Sequence, residues 1–193
     1  MTTTAAPVQA PEEIVELRPR VPLQHTLARW LATLKPEWYP SASAASSEFE
    51  HEFARAGQTL KIWVVVQNAR PRAWLMARLL PDERRQVEIV RLGAEVHGRY
   101  EAAAPACALL IARAVVWAGE QGAAQLIHWT GSEGLAIHGQ ALEDLWTAMQ
   151  HIGGGDSPVW AFWVEQEFML WGLLPDLYGP RRHGALLARW LER

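Results

Sequence analysis

The stretch AEVHGRYEAAAPACALL, residues 94–110, joins a strand-like segment to an apolar, helix-like segment through a run of small residues. Backbone N–H groups at a helix N-terminus, together with the helix dipole, favour a bound phosphate or diphosphate. Small residues let the backbone come close to such a group. The segment therefore has the shape of a phosphate-binding loop in which alanines and Pro105 replace the usual glycines.

The elements that would position this loop follow from hydrophobic periodicity and from the turn residues. Strands are predicted at 14–20, 59–68, 73–81, 86–96 and 123–130, with one or two aromatic strands over 159–174. Helices are predicted at 23–34, from Ser46 or Ser47 to Ala56, at 105–120, at 140–151 and at 181–191. Residues 69–72, ARPR, would form a looser hairpin turn than Asn-Gly. This order predicts an α/β fold: a mixed, mostly antiparallel sheet with one parallel crossover and helices on both faces.

The strand at 86–96 changes the parity of its apolar residues. Val87 and Ile89 share one parity, whereas Val90, Leu92 and Val96 share the other. Because successive side chains of a strand point to opposite faces, the switch indicates a β-bulge between Ile89 and Val90. A strand buried on both faces is the alternative.

Composition limits the partners and the location. The net charge of −3, without basic runs interleaved with aromatics, predicts neither a nucleic-acid nor a membrane partner. Residues 102–119 are apolar, but Arg113 in their middle and Pro105 near their start favour a buried core helix over a membrane span. The single cysteine, Cys107, excludes an intramolecular disulfide and fits the cytoplasm. Residues 1–13 are expected to be a disordered tail rather than a signal peptide, and residues 14–193 one domain.

Three segments together resemble a known family. Residues 94–98 form a strand-end corner, residues 108–110 begin a helix with Ala-Leu-Leu, and ALEDLWTAMQHIG follows from residue 141. With the element order and the bulge, they resemble the GNAT superfamily of acetyl-CoA-dependent N-acetyltransferases over about residues 14–170.

The resemblance implies a GNAT-like fold, acetyl-CoA or another acyl-CoA as coenzyme, and a small-molecule or protein amine as acceptor. It also implies a homodimer formed through the late strands. Glu88 and Glu95 lie on the strand where the family often carries its general base, and at most one should face the cleft; exposed strand glutamates are the alternative. The coenzyme-binding positions that the resemblance implies are Ala94, Val96, Arg99, Ala102, Ala104 and Ala106.

Three residues depart from the family pattern. Glu101 stands where a cation or amide belongs, Pro105 removes an N–H donor, and Trp146 replaces a tyrosine that often serves as general acid. Two hypotheses therefore stay open. The chain is either an N-acyltransferase with a modified loop or a catalytically degenerate GNAT-fold protein that binds a ligand or partner.

Other candidate sites are weaker. Cys107 could be a nucleophile near a helix N-terminus, but a small buried residue is the favoured interpretation. The seven histidines are scattered, so no metal site is expected. Residues 153–156, GGGD, could bind phosphate, although a flexible connection is favoured. Trp160, Trp163 and Trp171 would give a late strand an apolar face for a second subunit or a ligand.

Overall fold

The computed structural model describes residues 12–18, 22–36, 38–81, 85–94, 103–132, 135, 137–142, 144–151 and 158–191. Seven strands form one sheet: β1 (Glu13–Glu16), β2 (Leu60–Gln67), β3 (Arg70–Leu79), β4 (Gln86–Ala94), β5 (Gln125–Gly131), β6 (Met169–Leu174) and β7 (Gly184–Trp190). Their spatial order is β1-β2-β3-β4-β5-β7-β6, with β4 and β5 parallel and every other pair antiparallel. The predicted mixed sheet with one parallel crossover is confirmed, while the expected tail at 1–13 lies almost wholly outside the described residues.

Helices cover both faces of the sheet, as predicted. They are α1 (Pro22–Leu34), α2 (Ala42–Ala56), α3 (Ala104–Glu120), α4 (Leu145–His151) and α5 (Pro158–Glu165). Alternate residues of β2 divide between two cores: Ile62 and Val64 pack with α1 and α2, whereas Trp63 and Val65 pack with α3. This division follows from the two-residue period of a strand.

Helix α3 is the most deeply packed helix that the structure describes on its face of the sheet. Leu110, Ile111 and Ala114 are fully buried, and Trp117 meets Trp63 edge to face with ring centroids 5.6 Å apart. The prediction of a core helix is thus confirmed. Among the helices in the described part of the chain, none combines the length and the apolar character that a membrane crossing requires.

The predicted bulge in β4 is present. Ile89 pairs with Ala77 and Arg91 pairs with Met76 on β3, so Val90 is the extra residue. The parallel pairing with β5 begins at Gln86↔Gln125 and ends at Ile89↔His128, directly before the bulge. Because a bulge bends and twists its strand, β4 leaves β5 from this point onward.

Several predicted boundaries in the N-terminal half are wrong. Strand β1 ends at Glu16, short of the predicted residue 20. Helix α2 begins after Ser41, whose Oγ accepts a hydrogen bond from Ala44 N at 3.1 Å, so the first serine of the run caps the helix rather than Ser46 or Ser47.

The hairpin between β2 and β3 is also tighter than predicted. Asn68 and Ala69 have φ values of 51° and 60°, and this pair of positive angles is typical of a two-residue type I′ turn. Arg70, Pro71 and Arg72 belong to β3, where the register shifts between Val65 and Val66 opposite Pro71. A proline in a strand is expected at such an irregularity, where no ladder N–H is needed.

Near the C-terminal end, the predicted strand over the second half of 159–174 is confirmed as β6, whereas two other predicted elements are wrong in type. Residues 158–165 form α5 instead of an aromatic strand, because Phe162, Trp163 and Phe168 pack edge to face with centroids 5.0–5.5 Å apart. The predicted helix at 181–191 is β7, which lies between β5 and β6 with Ala185, Leu187 and Ala188 fully buried. A strand with paired neighbours and little polar alternation resembles an apolar helix in sequence.

Candidate active site

Two adjoining cavities occupy the gap where β4 leaves β5, and together they form the cleft. The smaller, of about 150 Å³, is lined by Leu92, Gly93, Ala94, Ala103, Cys107, His128, Thr130, Val159 and Trp163. The larger, of about 480 Å³, is lined by Lys35, Trp38, Val90, Arg91, Leu92, His128, Trp129, Thr130, Gly131, Tyr178 and Arg182. Leu92, His128 and Thr130 line both cavities, so these residues mark their junction.

The smaller cavity lies against the first turn of α3. Ala103, the N-cap residue of α3, provides no side-chain hydrogen bond to the helix, and Pro105 follows in the first turn. The N–H groups that begin a helix need a partner from elsewhere when no side chain caps them. This end of α3 therefore offers donors to a ligand, with one fewer than usual because Pro105 has no N–H.

The structure brings some predicted coenzyme-binding residues to this cavity. Ala94 lines it, and Ala104 is the first residue of α3. Ala106 is only 5 % exposed and packs in the core on the inner side of α3. Val96, Arg99, Ala102, Glu95 and Glu101 lie outside the described residues.

Glu88 forms an ion pair with its cross-strand neighbour on β3. Its Oε2 accepts a hydrogen bond from Arg78 Nη2 at 2.6 Å, and both side chains are largely shielded from solvent. Glu88 is not among the residues that line either cavity of the cleft. The pairing gives this carboxylate a structural partner on the side of the bulge away from the cleft.

His128 at the junction was missed by sequence reasoning. Its Nδ1 lies 2.8 Å from the Ile89 carbonyl oxygen, and since a carbonyl only accepts, Nδ1 carries the proton and donates. Burial lowers the pKa of His128 to about 4, outweighing the Ile89 bond and the nearby Glu88, which act in the opposite direction. The ring also packs on Trp163 with centroids 4.6 Å apart. A neutral imidazole with an unprotonated Nε2 thus stands between the two cavities. The only sequence signal was one ionisable residue inside an apolar strand.

Cys107 is not suited to nucleophilic catalysis. The side chain is buried, and desolvation raises the pKa of its thiol to about 12, so the thiol stays protonated near neutral pH. The interpretation of Cys107 as a small buried residue is confirmed.

The residue at the family's tyrosine position lies apart from the cleft. Trp146 is 70 % exposed in the first turn of α4. Its backbone N–H donates a hydrogen bond to Asp144 Oδ1 at 3.0 Å. Trp146 does not line either cavity of the cleft, and α4 begins at residue 145 rather than at the predicted 140. A phenol that sequence reasoning missed, Tyr178 in the connection from β6 to β7, lines the larger cavity instead.

The seven-stranded sheet with its one parallel pair has the fold of solved acetyltransferases, among them a putative acetyltransferase of the GNAT family. The solved structure of the aminoglycoside 6′-N-acetyltransferase from Enterococcus faecium is similar to this chain at 16 % identity and a TM-score of 0.78, covering 94 % of this chain and 98 % of that one. An aminoglycoside 6′-N-acetyltransferase complexed with coenzyme A is similar at 15 % identity and a TM-score of 0.74, with the same coverage.

The ribosomal-protein-S18-alanine N-acetyltransferase from Escherichia coli is similar at 10 % identity and a TM-score of 0.61, covering 94 % of this chain and 95 % of that one. No protein-family model and no curated protein sequence matches this chain. At these identities the likeness shows the fold.

The lowered pKa of His128 predicts a pH-dependent stability. Between about 4, its value in the folded chain, and 6.5, its ordinary value, the unfolded chain binds the extra proton, so folded stability falls on acidification through this window. The full difference would be at most roughly 3 kcal/mol. We expect His128→Gln to flatten the dependence of the urea unfolding free energy on pH, whereas His25→Gln, at an exposed site on α1, should leave it intact. Equal slopes in wild type and His128→Gln would contradict the assignment.

Proposed function

We propose that the protein is a GNAT-type N-acyltransferase that uses acetyl-CoA or another acyl-CoA to modify an amine. The observation that carries the proposal is the opened β4–β5 pair, whose two cavities meet at Leu92, His128 and Thr130. A similar structure, an aminoglycoside 6′-N-acetyltransferase, is complexed with coenzyme A, and this supports a ligand of the coenzyme A type. We propose the cytoplasm as the location, because acyl-CoA is an intracellular coenzyme.

The residues of the smaller cavity fit a diphosphate-bearing coenzyme. The start of α3 has no side-chain cap, so the backbone N–H groups of Ala104 and Ala106 are placed for an anion at the end of the helix. In the proposal, Ala94, which lines the smaller cavity, contacts the coenzyme, and Val96, Arg99 and Ala102 are further coenzyme-binding positions. The bound coenzyme would supply an acyl thioester at the junction of the two cavities.

The acyl transfer needs a neutral amine, a base and an acid. The amine nitrogen forms a bond to the acyl carbon, the carbon–sulfur bond breaks, one N–H proton goes to the base, and the thiolate takes a proton. We propose Glu95, the next residue in the sequence after Ala94, as the base; Glu88 is the alternative, but it is paired with Arg78. The phenol of Tyr178 in the larger cavity is our candidate for the acid.

The alternative hypothesis is a GNAT-fold binding module without catalysis, suggested by Glu101, Pro105 and Trp146. The two functions differ first in whether the coenzyme binds and then in whether thiol is released. Both are direct measurements on the purified chain.

Calorimetric titration with acetyl-CoA tests the coenzyme site. We expect saturable binding. The affinity should increase several-fold in Glu101→Gln, which removes a negative charge from the proposed coenzyme loop, and should fall in Arg99→Ala, which removes a positive charge from it. Glu50→Gln, the same change at an exposed position on α2, should match wild type. At coenzyme concentrations of about 1 mM, the titration detects a binding free energy as weak as about 4 kcal/mol. Absence of binding heat at this concentration would overturn the acyltransferase proposal.

Two matched substitutions test the base. Glu95→Gln should lower kcat by at least about 100-fold, the usual contribution of a positioned base. Glu88→Gln should retain kcat within a few-fold and instead reduce thermal stability, because Arg78 loses its ion-pair partner. The readout is thiol released from acetyl-CoA under saturating amine. Equal kcat values in the two variants would show that Glu95 is not the base.

We also propose a homodimer through the far edge of the sheet. Trp190 is 56 % exposed and Trp171 39 %, their rings lie 5.6 Å apart, and Met169 nearby on β6 is 55 % exposed. Such an apolar patch on an edge strand is typical of an interface. Sedimentation should give about twice the chain mass of 21.6 kDa, and Trp190→Lys should give the single mass. Val116→Lys, at an exposed apolar site on α3, is the control. A monomeric wild type at micromolar concentration would contradict the dimer.

A further inference from the structure

The larger cavity is strongly basic. Three cations line it from three separate parts of the chain: Lys35 after α1, Arg91 on β4 and Arg182 just before β7. No aspartate or glutamate is among the described residues that line it. The chain as a whole carries a net charge of −3, so this local excess of positive charge is not the general character of the protein.

The exposed indole of Trp38, which also lines the larger cavity, stacks with two of these cations, Lys35 and Arg91. Lys35 Nζ lies 5.6 Å and the Arg91 guanidinium 5.4 Å from the centroid of the Trp38 ring, which is 57 % exposed. Cations over an indole face are attracted by its negative quadrupole. The stacking keeps two like charges close together at the cavity, although they repel each other.

Arg91 also interacts with a buried phenol behind the cavity lining. The Tyr39 hydroxyl, whose pKa is raised to about 12 mainly by burial, interacts with Arg91 and also donates to Glu48 Oε1 at 3.3 Å. Glu48 does not line the larger cavity. Tyr39 thus interacts with both groups, while Arg91 and not Glu48 is among the described residues that line the cavity.

The third cation is carried by a fixed connection. His183, which is buried, accepts a hydrogen bond from Asp176 N at 3.1 Å, and its Nε2 lies 2.9 Å from the Gln140 carbonyl oxygen. Its backbone N–H donates to Ser132 Oγ at 3.1 Å. These bonds attach the β6–β7 connection to the end of β5, so the backbone that carries Arg182 is ordered at the cavity before any ligand binds.

We propose that the larger cavity selects an acceptor amine that carries its own carboxylate, which Lys35, Arg91 and Arg182 bind while the amine reaches the junction near His128. A cavity of about 480 Å³ holds a molecule of amino-acid to dipeptide size. A carboxylate gains charge-assisted hydrogen bonds from guanidinium and ammonium groups, whereas a polycationic amine meets repulsion on every wall. This specificity rests on the proposed acyl transfer.

Matched acceptors test the specificity. Thiol release from acetyl-CoA is measured with 4-aminobutyrate and with its carboxamide, which has the same chain without the charge, and with kanamycin as a polycationic amine. We expect kcat/KM for 4-aminobutyrate to exceed that for the carboxamide by about tenfold or more, and the ratio to fall as ionic strength rises. Equal kcat/KM values for 4-aminobutyrate and its carboxamide, or a higher kcat/KM for kanamycin, would overturn the inference. The acyl-transfer proposal would not be affected by that result.

Matched variants locate the selecting charges. The double variant Lys35→Gln, Arg182→Gln keeps Arg91 and should lower the ratio several-fold, mainly by raising KM for 4-aminobutyrate. Arg55→Gln, which removes the same charge from a different cavity beyond the far end of β3, should leave the ratio unchanged. If the ratio of kcat/KM for 4-aminobutyrate to that for its carboxamide is as high in the double variant as in the wild type, the inference is wrong.

Direct binding separates this inference from the proposed function. Calorimetry of 4-aminobutyrate with the wild type and with the double variant reports the acceptor site without catalysis. If 4-aminobutyrate binds the wild type and binds the double variant much more weakly, the carboxylate site is supported. If the wild type nevertheless releases no thiol, the acyltransferase proposal is overturned. Acetyl-CoA affinity should be unchanged in the double variant. If it is the coenzyme affinity that falls, the cations serve the coenzyme, and the inference is wrong.

Discussion

The cleft depends on one interruption of backbone pairing. Strands β4 and β5 are hydrogen-bonded as a parallel pair only from Gln86↔Gln125 to Ile89↔His128, and the extra residue Val90 then turns β4 away. Free strand edges in a sheet are usually paired or covered. Here the Ile89 carbonyl at the end of the ladder receives the His128 Nδ1 proton, so the last backbone acceptor before the opening is satisfied by a side chain.

This arrangement explains why the two cavities differ in character. The smaller cavity is bounded by the start of α3 and by aromatic and small residues, and it is suited to the backbone recognition of an extended ligand. The larger cavity is bounded by side chains from distant parts of the chain, including the three cations. Lys35, Trp38, Tyr178 and Arg182 lie in connections between the helices and strands, where binding residues are often carried on a rigid scaffold.

The sequence was most informative where local patterns agreed with tertiary packing. The parity switch at Ile89–Val90 predicted the bulge, because it reports which face each side chain must occupy, and the apolar run after Pro105 predicted α3. Two C-terminal elements were mispredicted because their packing is long-range. Trp163 of α5 packs on His128 of β5 with ring centroids 4.6 Å apart, and β7 is inserted between β5 and β6. The same reason hid His128 and Arg182, which belong to the cleft only after strands separated by many residues have paired.

Gly93 lines the smaller cavity and also lies in close contact with Trp74, which packs on the other face of the sheet. A Cβ at this position would lie 2.7 Å from Nε1 of Trp74, whose indole packs in the core under α1 and α2 and meets Phe49 at 5.9 Å. A larger residue at 93 would thus push an indole into a closely packed interior. Any remodelling of the cavity at this point would be transmitted to the α1–α2 layer and to the connection that carries Lys35 and Trp38. A substitution at position 93 that changes the shape of the smaller cavity therefore also changes the packing of the core under α1 and α2.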